Sequence, residues 1–188
     1  MKNHILKEHV EEGEQECYLL KIEGAYAKEY WLFVDIAKDK SLSSLDTFLR
    51  HIWLECCGHM SRFSLGKARK IGSLTIGDQI KHEYDMGTTT ECIITVVANS
   101  VRPIQKPAVR VLARNEPIEA NCVICGSPAE LLCHECVWSS ENACYCPKCA
   151  ISHEHDDMMM PLTNSPRNGE CGYGGELDVF IFNPEKFL

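Results

Sequence analysis

The sequence predicts an α+β fold: an antiparallel sheet packed on one main helix, followed by a small Cys-rich module. Three observations carry that prediction. Several short segments are rich in β-branched and aromatic residues, which are typical of strands. One segment repeats apolar residues with the period of an α-helix. Seven of the 12 cysteines lie between Cys122 and Cys149, which sets this stretch apart from the rest of the chain.

The strands predicted for the sheet of the α+β domain all lie in the first two-thirds of the chain. They are residues 17–22, 30–36, 60–65, 80–85, 89–97 and 107–113. Met86-Gly87 stands between the fourth and fifth of these segments and predicts a hairpin turn. Several strands with one clear helix favour an antiparallel sheet whose apolar face packs on that helix.

The main helix is predicted from an apolar stripe. Apolar residues recur at the spacing of one helical face, namely Leu45, Phe48, Leu49, Ile52, Trp53 and Cys56. Ser43 or Ser44 is placed to cap the N-terminus, with Asp46 in the first turn, and Gly58 is placed to end the helix. Cys56 extends the stripe, so we expect it to be an ordinary core residue.

Two domains are predicted, with the boundary near Glu116-Pro117. Residues 1–117 form the α+β domain, and residues 118–188 form the Cys-rich module with a C-terminal tail. Within that tail, residues 177–182 alternate apolar and polar side chains like a strand. Such a strand is able to dock on the first domain.

The cysteine spacing predicts zinc. The pattern reads Cys-x2-Cys three times, then His-x-His and a later Cys. A two-residue spacer lets both thiolates of a turn face one tetrahedral ion, with Zn–S bonds of about 2.3 Å. We therefore expect about two structural zinc ions. The candidate ligands are Cys122, Cys125, Cys133, Cys136, Cys146, Cys149, His153, His155 and Cys171.

The spacing leaves two wirings open. Seven residues separate Cys125 from Cys133, and nine separate Cys136 from Cys146. Short and similar loops favour an interleaved cross-brace, in which the first and third pairs share one ion. The second pair then binds the other ion with two of His153, His155 and Cys171. The sequential alternative joins the first and second pairs. Cys144 and His134 are surplus in either wiring.

Four protein ligands leave no open position for water, so such sites contribute folding energy rather than catalysis. A catalytic zinc ordinarily keeps three protein ligands and has a general base nearby. The thiolate-rich pattern therefore predicts that the protein is not an enzyme. We read the acidic residues beside the His pair, Glu154, Asp156 and Asp157, as a solvated loop.

Charge argues against nucleic-acid binding by the module. Residues 1–121 carry 16 Lys and Arg against 17 Asp and Glu, a balance of −1. Residues 122–188 carry 3 against 10, a balance of −7. Nucleic-acid affinity comes from basic side chains that neutralise phosphates. The only basic cluster is Lys67-Ala68-Arg69-Lys70.

The charged N-terminus and the clustered cysteines predict the cellular compartment of the protein. The sequence turns charged at once after Met1 and has no apolar run of signal-peptide or membrane-spanning length. We therefore expect a cytoplasmic protein that does not enter a membrane. Clustered cysteines in a reducing compartment bind metal more often than they form disulfides.

Two polar groupings in the first domain are candidate sites. His82, Glu83, Tyr84 and Asp85, with the threonines that follow, are a candidate binding surface. The alternative is a plain hairpin in which Asp85 and the threonines bond to the turn backbone. Cys56-Cys57 and His59 resemble a nucleophile with its base, but adjacent cysteines at a helix end are usually packing residues.

Residues 30–97 resemble the Ri-plasmid open-reading-frame-three-like family. The resemblance rests on residues 42–53, on residues 59–63, and on Tyr84-Asp85-Met86-Gly87. The family pattern continues with an aspartate and then a tryptophan where this chain has Thr88 and Thr90. Residues 122–173 resemble a variant of the family with a zinc extension, through the Cys pairs, Asn164-Ser165-Pro166-Arg167 and Cys171-Gly172-Tyr173.

The resemblance implies a fold rather than a chemistry, because the family is largely of unknown function and is associated with plasmids and insertion elements. We expect a non-enzymatic zinc protein that binds a protein partner. One alternative is a nucleic-acid-associated protein of mobile elements, and a more remote one is a zinc-dependent hydrolase.

Overall fold

A six-stranded antiparallel sheet forms the body of the first domain. The structure is a computed structural model that describes residues 13–104, 107–139 and 142–175. The strands are β1 (Gln15–Gly24), β2 (Trp31–Ala37), β3 (Ser61–Phe63), β4 (Gln79–Tyr84), β5 (Thr90–Arg102) and β6 (Val109–Arg114). Their order is β3-β4-β5-β1-β2-β6, and each neighbouring pair is antiparallel. The predicted fold class is confirmed.

The main helix begins at Leu42, runs to Leu49, and continues as a π-helical turn over Arg50–Leu54. The predicted stripe is buried from Leu45 to Trp53. The predicted caps, Ser43 and Ser44, were wrong, because the N-cap is Ser41.

Backbone carbonyls cap this helix. The N–H groups of Leu42 and Ser43 donate to the carbonyls of Arg69 and Lys67, both at 2.9 Å. These contacts satisfy donors that a capping side chain would otherwise take. Asp46 lies beyond the first turn and is buried.

The hydrophobic core lies between one face of the sheet and the main helix. Trp53 and Tyr84 are both fully buried in it. A smaller cluster around Leu19 and Phe33 covers the opposite face of the sheet. Burial of this apolar area is the main stabilising contribution to the domain.

The Cys-rich module has little apolar core. Its sheet has three short strands, β7 (Leu131–Cys133), β8 (Cys144–Tyr145) and β9 (Met159–Pro161), in the order β8-β7-β9. A four-residue helix spans Pro147–Ala150. The buried members of its apolar cluster are Cys133, Tyr145 and Ala150. A unit this small ordinarily needs a metal or another staple to fold.

After β9 the chain returns to the first domain. Ser165 and Arg167 are fully buried there, and the Ser165 hydroxyl donates to the carbonyl of Trp53 at 2.7 Å. The Trp53 indole N–H donates to the carbonyl of Asn164 at 3.1 Å. Residues 164–168 therefore follow the module in sequence but pack on the first domain. The strand predicted at residues 177–182 lies outside the described residues.

Among the residues that the structure describes, no helix is both long enough and apolar enough to cross a membrane.

Candidate metal centres

The first candidate centre is the four-sulfur site, formed by Cys122, Cys125, Cys146 and Cys149. One sulfur from each residue lies within 4.8 Å of the other three. The Sγ atoms of Cys125 and Cys146 are 3.7 Å apart. Two thiolates on one tetrahedral zinc are separated by about 3.8 Å when each Zn–S bond is about 2.3 Å. The spacing of the sulfurs therefore fits a zinc ion.

Local backbone geometry turns these thiols toward one point. Gly126 follows the first pair in the left-handed conformation, with φ of +73°, and its N–H donates to the carbonyl of Cys122 at 2.9 Å. This turn is one that glycine adopts without strain. The second pair brackets the first turn of the short helix, where the N–H of Ala150 donates to the carbonyl of Cys146.

Thiol ionisation in the four-sulfur site is uneven. Backbone N–H groups directed at Cys122, that of Cys146 above all, lower its pKa to about 6. The neighbouring thiols, Cys125 first, raise the pKa of Cys149 to about 12. Four thiolates this close repel one another unless a cation lies between them. The arrangement therefore favours a metal over four free thiols.

The second candidate centre is the mixed site, formed by Cys133, Cys136, His153 and His155. Its four donor atoms also lie within 4.8 Å of one another. The Sγ of Cys136 is 3.3 Å from Nε2 of His153 and 3.6 Å from Nδ1 of His155. The His153 ring packs against Tyr145, with ring centroids 4.4 Å apart, which fixes its orientation.

The two sites interleave along the chain. The first and third Cys pairs meet at the four-sulfur site, and the second pair meets both histidines at the mixed site. This is the grouping of the cross-brace, not that of the sequential alternative. Neither Cys144 nor His134 belongs to a group of candidate ligands among the described residues. Metal binding by these residues remains a prediction.

Cys171 does not belong to either site of the module, although the sequence predicted it as a ligand there. The structure places it in a third group, the junction cluster, formed by Cys56, Cys57, His59 and Cys171. Nε2 of His59 is 2.9 Å from Sγ of Cys57 and 3.1 Å from Sγ of Cys171. The Sγ atoms of Cys57 and Cys171 are 3.8 Å apart. Cys56 packs against the core of the first domain, as expected, but it is only half-buried and its sulfur also belongs to this group.

Charged groups surround the junction cluster. Burial raises the pKa of Cys56, but the Arg167 guanidinium, 3.5 Å from its sulfur, and the hydrogen bonds with Tyr84 and Cys57 together lower that pKa. Burial and the adjacent thiols raise the pKa of Cys57 to about 11. Arg167 also donates to Asp85 at 2.8 Å. Burial raises the pKa of Asp85, but the Gly87 N–H, Arg167 and other donors lower it to about 2.

The β4–β5 hairpin has the turn that the plainer interpretation predicted. Asp85 accepts hydrogen bonds from the Gly87 N–H at 2.8 Å and from the Thr88 hydroxyl at 3.0 Å. His82 and Tyr84 are fully buried, so they do not contribute to a binding surface. Nε2 of His82 donates instead to Asp46 at 2.8 Å.

The donors of the two sites in the module suit zinc. Thiolate and imidazole are the ligands that structural zinc sites use, and four of them close the coordination shell. Both sites therefore offer a set of four donors that could hold a thiolate-binding metal ion.

No protein-family model matches the sequence, and no curated protein matches it. Among solved structures, the chain is similar to the crystal structure of a protein of unknown function, MM3350, from Methanosarcina mazei Go1. The sequences are 12% identical, the TM-score is 0.47, and the match covers 60% of this chain and 76% of that chain. The likeness is too distant to carry an argument about fold or function.

Proposed function

We propose that this chain is a non-enzymatic, cytoplasmic zinc protein whose Cys-rich module binds a protein partner. The observation that carries the proposal is the convergence of eight Cys and His side chains at two interleaved sites. Two structural ions would hold together a module whose own apolar cluster is small. What they stabilise is a rigid surface rather than a reaction centre.

The donor sets support a structural role. Each site offers four protein ligands, two or four of them thiols, and a zinc with four protein ligands has no position left for water. A hydrolytic zinc needs such a position, because metal-bound water is its nucleophile. The hydrolase alternative has no such support from either site.

The surface of the module supports a protein partner. Large apolar side chains remain exposed close to the candidate ligands: Ile124 is 69% exposed, Trp138 63% and Ile151 78%. Ile124 lies inside the first Cys pair, and Ile151 follows the last. Large contiguous exposed apolar patches mark protein contacts, and we infer that these side chains belong to one. The −7 balance of residues 122–188 favours a partner with basic residues around its apolar contact.

The basic cluster at residues 67–70 gives no support to nucleic-acid binding. Lys67 donates to Asp46 and to the Ser61 hydroxyl, both at 2.8 Å. Lys70 donates to the carbonyl of Asp39 at 3.0 Å. These ammonium groups hold the loop beside the helix N-terminus instead of forming a basic stripe for phosphates.

Membership of the Ri-plasmid open-reading-frame-three-like family is a further proposal. Segments that carry the resemblance meet in space, since the His59 and Tyr84 rings pack edge to face at 5.9 Å and Arg167 contacts Asp85. A sequence profile built from homologues of this chain tests the assignment. A profile that keeps these positions and aligns with the family supports it, and one that aligns elsewhere overturns it.

Metal content tests the structural role. We expect Cys125→Ser and His153→Ala each to lose about one zinc ion per chain, because each removes one ligand from a different site. Cys144→Ser is the matched control and keeps all its zinc, since Cys144 belongs to neither site. Unchanged zinc in both ligand variants would show that the assignment is wrong.

Partner binding is tested by cross-linking the full-length protein in its own cells, followed by mass spectrometry. We expect Ile124→Ser with Ile151→Ser to lose specific cross-linked proteins. Ile76→Ser is the control, because Ile76 is 56% exposed but lies on the first domain. A set of cross-linked proteins that does not change with the double variant contradicts a partner site on the module.

A further inference from the structure

The junction cluster brings together donors from two distant parts of the chain. Cys56, Cys57 and His59 follow the main helix, and Cys171 lies 112 residues beyond His59. All four donor atoms lie within 4.8 Å of one another. A cluster of three thiols and one imidazole is a Cys3His donor set, which is one of the sets that close a structural zinc site.

The loop that carries three of these donors is held in place from several directions. The π-helical turn over Arg50–Leu54 ends just before it, and the N–H of Glu55 closes that turn on the carbonyl of Arg50 at 2.7 Å. Glu55 in turn accepts a hydrogen bond from the Gly58 N–H at 2.6 Å. Arg50 donates to the carbonyl of His59 at 2.8 Å. The donors are thus positioned by the fold before any ion binds.

The fourth donor comes from a strained position. Cys171 has φ of +43°, in the left-handed region that residues other than glycine rarely adopt. The buried segment before it is fixed by Arg167, which donates to the Thr88 carbonyl at 3.0 Å and the Thr90 hydroxyl at 2.9 Å. The chain therefore holds this thiol against the first domain at a cost in backbone energy.

The charges around the cluster suit a divalent cation. Three thiolates, a neutral imidazole and a divalent ion together carry a formal charge of −1. Arg167, fully buried, directs its guanidinium at the Cys56 sulfur from 3.5 Å and shares its positive charge between that sulfur and Asp85. Asp85 lies 3.5 Å from Nε2 of His59 and keeps its bonds to Gly87 and Arg167.

Two other uses of these residues leave donors unexplained. A nucleophile with its base needs only Cys57 and His59, and a disulfide needs only Cys57 and Cys171. Neither requires the Cys56 thiol or the convergence of all four atoms on one point.

We propose that the junction cluster binds a third thiolate-seeking divalent ion, zinc in the cell, which clamps the segment around Cys171 to the end of the main helix. This site is independent of the two sites in the module. It joins residues on both sides of the boundary that the sequence predicted.

The test is the number and type of metal sites in the full-length protein. Cadmium replaces zinc at thiolate sites, and its NMR frequency depends on how many sulfurs bind it. The four-sulfur site has four sulfurs, the mixed site has two, and the junction cluster has three. We expect three separate cadmium resonances and about three zinc ions per chain by elemental analysis.

Variants assign the third resonance. Cys57→Ser changes an exposed thiol and is expected to remove only the three-sulfur resonance and about one ion per chain. His59→Ala is the second variant, with the same expected loss. Cys144→Ser is the control and keeps all three resonances. Cys125→Ser removes the four-sulfur resonance, so failure of the module sites is distinguishable from failure of this one.

Three results would overturn the proposal. These are a wild-type protein with only the two resonances of the module, a Cys57→Ser variant that keeps all three, and a disulfide between Cys57 and Cys171 found by mass spectrometry in metal-loaded protein purified under reducing conditions. The wild-type count decides the matter even where a variant fails to fold.

Discussion

Arg167 makes several buried polar contacts that join the segment after the module to the first domain. Its guanidinium is fully buried, donates to Asp85, Thr88 and Thr90, and lies over the Tyr84 ring at 4.8 Å. Removing one partner of a buried ion pair leaves the other charge buried and without a partner. The desolvation penalty of that remaining charge exceeds the net stabilisation that the intact pair contributes.

We therefore expect Arg167→Met to reduce the free energy of unfolding by about 3–5 kcal/mol, measured by urea denaturation. Arg62→Met is the matched control, because the Arg62 side chain is 65% exposed and its ion pair with Glu83 contributes little. We expect that variant to change stability by less than about 1 kcal/mol. Equal losses in the two variants would show that the buried contacts of Arg167 do not stabilise the fold.

Asp46 gives a stability contribution that depends on pH. Burial raises the pKa of Asp46, but the hydrogen bonds from His82, Lys67 and Ser61 outweigh burial and hold it well below its usual 3.8. A carboxyl group whose pKa is lower in the folded state stabilises the fold above its unfolded pKa. That contribution is lost as pH falls toward the folded value.

The comparison of wild type with Asp46→Asn isolates this effect. We expect wild type to be the more stable at pH 6, and the difference to shrink as the pH falls below 3.8. Denaturant unfolding at several pH values measures the difference in the free energy of unfolding between the two proteins. The other titrating groups are common to both proteins, so their contributions largely cancel in this difference. A difference that stays constant with pH would show that the Asp46 carboxylate is not what stabilises this part of the fold.

At the scale of elements, the module and the first domain differ in what holds them together. The three strands of the module are two or three residues long, whereas β1 has 10 residues and β5 has 13. Short strands over a small apolar cluster are not stable without a staple. The sheet of the first domain has its own, larger apolar core, so we expect it to stay folded without metal.

A chelator should therefore unfold the two parts unequally. We expect EDTA to remove hydrogen-exchange protection from Leu132 and Cys133, while the amides of β1 and β5 stay protected. Excess zinc restores the protection. Protection of β7 that survives complete metal removal would show that the module folds through its apolar contacts alone.

At the scale of the whole molecule, contacts that are local in sequence were predictable and distant ones were not. Strand alternation and the helical stripe predicted the sheet and the main helix, because each residue's environment repeats with the local period. Loop lengths favoured the interleaved grouping of the module but left the sequential one open, and they did not decide which two of His153, His155 and Cys171 join the second pair. The helix cap was missed because its acceptors are carbonyls of Lys67 and Arg69, which no local pattern reveals.

The junction cluster was missed for the same reason. Cys56 fits the apolar stripe, and Cys171 looks like the last ligand of the module, so each already had a local explanation. Only the return of residues 164–173 to the first domain brings them together. A Cys-Cys-x-His sequence after a helix was the one available signal, and it lacked its distant fourth donor.

Asp85 also decides what happens when residues 118–188 are removed. In the full-length chain, Arg167 and the segment around it cover the Asp85 carboxylate, whose side chain is 6% exposed. In the fragment of residues 1–117 that carboxylate regains water, so its desolvation penalty disappears together with its partner. The apolar core cluster of the first domain lies wholly within residues 18–111.

We therefore expect the fragment to unfold cooperatively, with a lower Tm than the full-length protein.

The Asp85→Asn variant separates the stability contributed by the Asp85–Arg167 ion pair from that contributed by the β4–β5 hairpin. The change should destabilise the full-length chain by about 3–5 kcal/mol, since it leaves Arg167 buried without its carboxylate. In the fragment it should cost less than about 1 kcal/mol. Denaturant unfolding of the four proteins measures the coupling. Equal losses in chain and fragment would mean that Asp85 acts through its own hairpin, and a fragment that aggregates would mean that residues 164–173 complete the core.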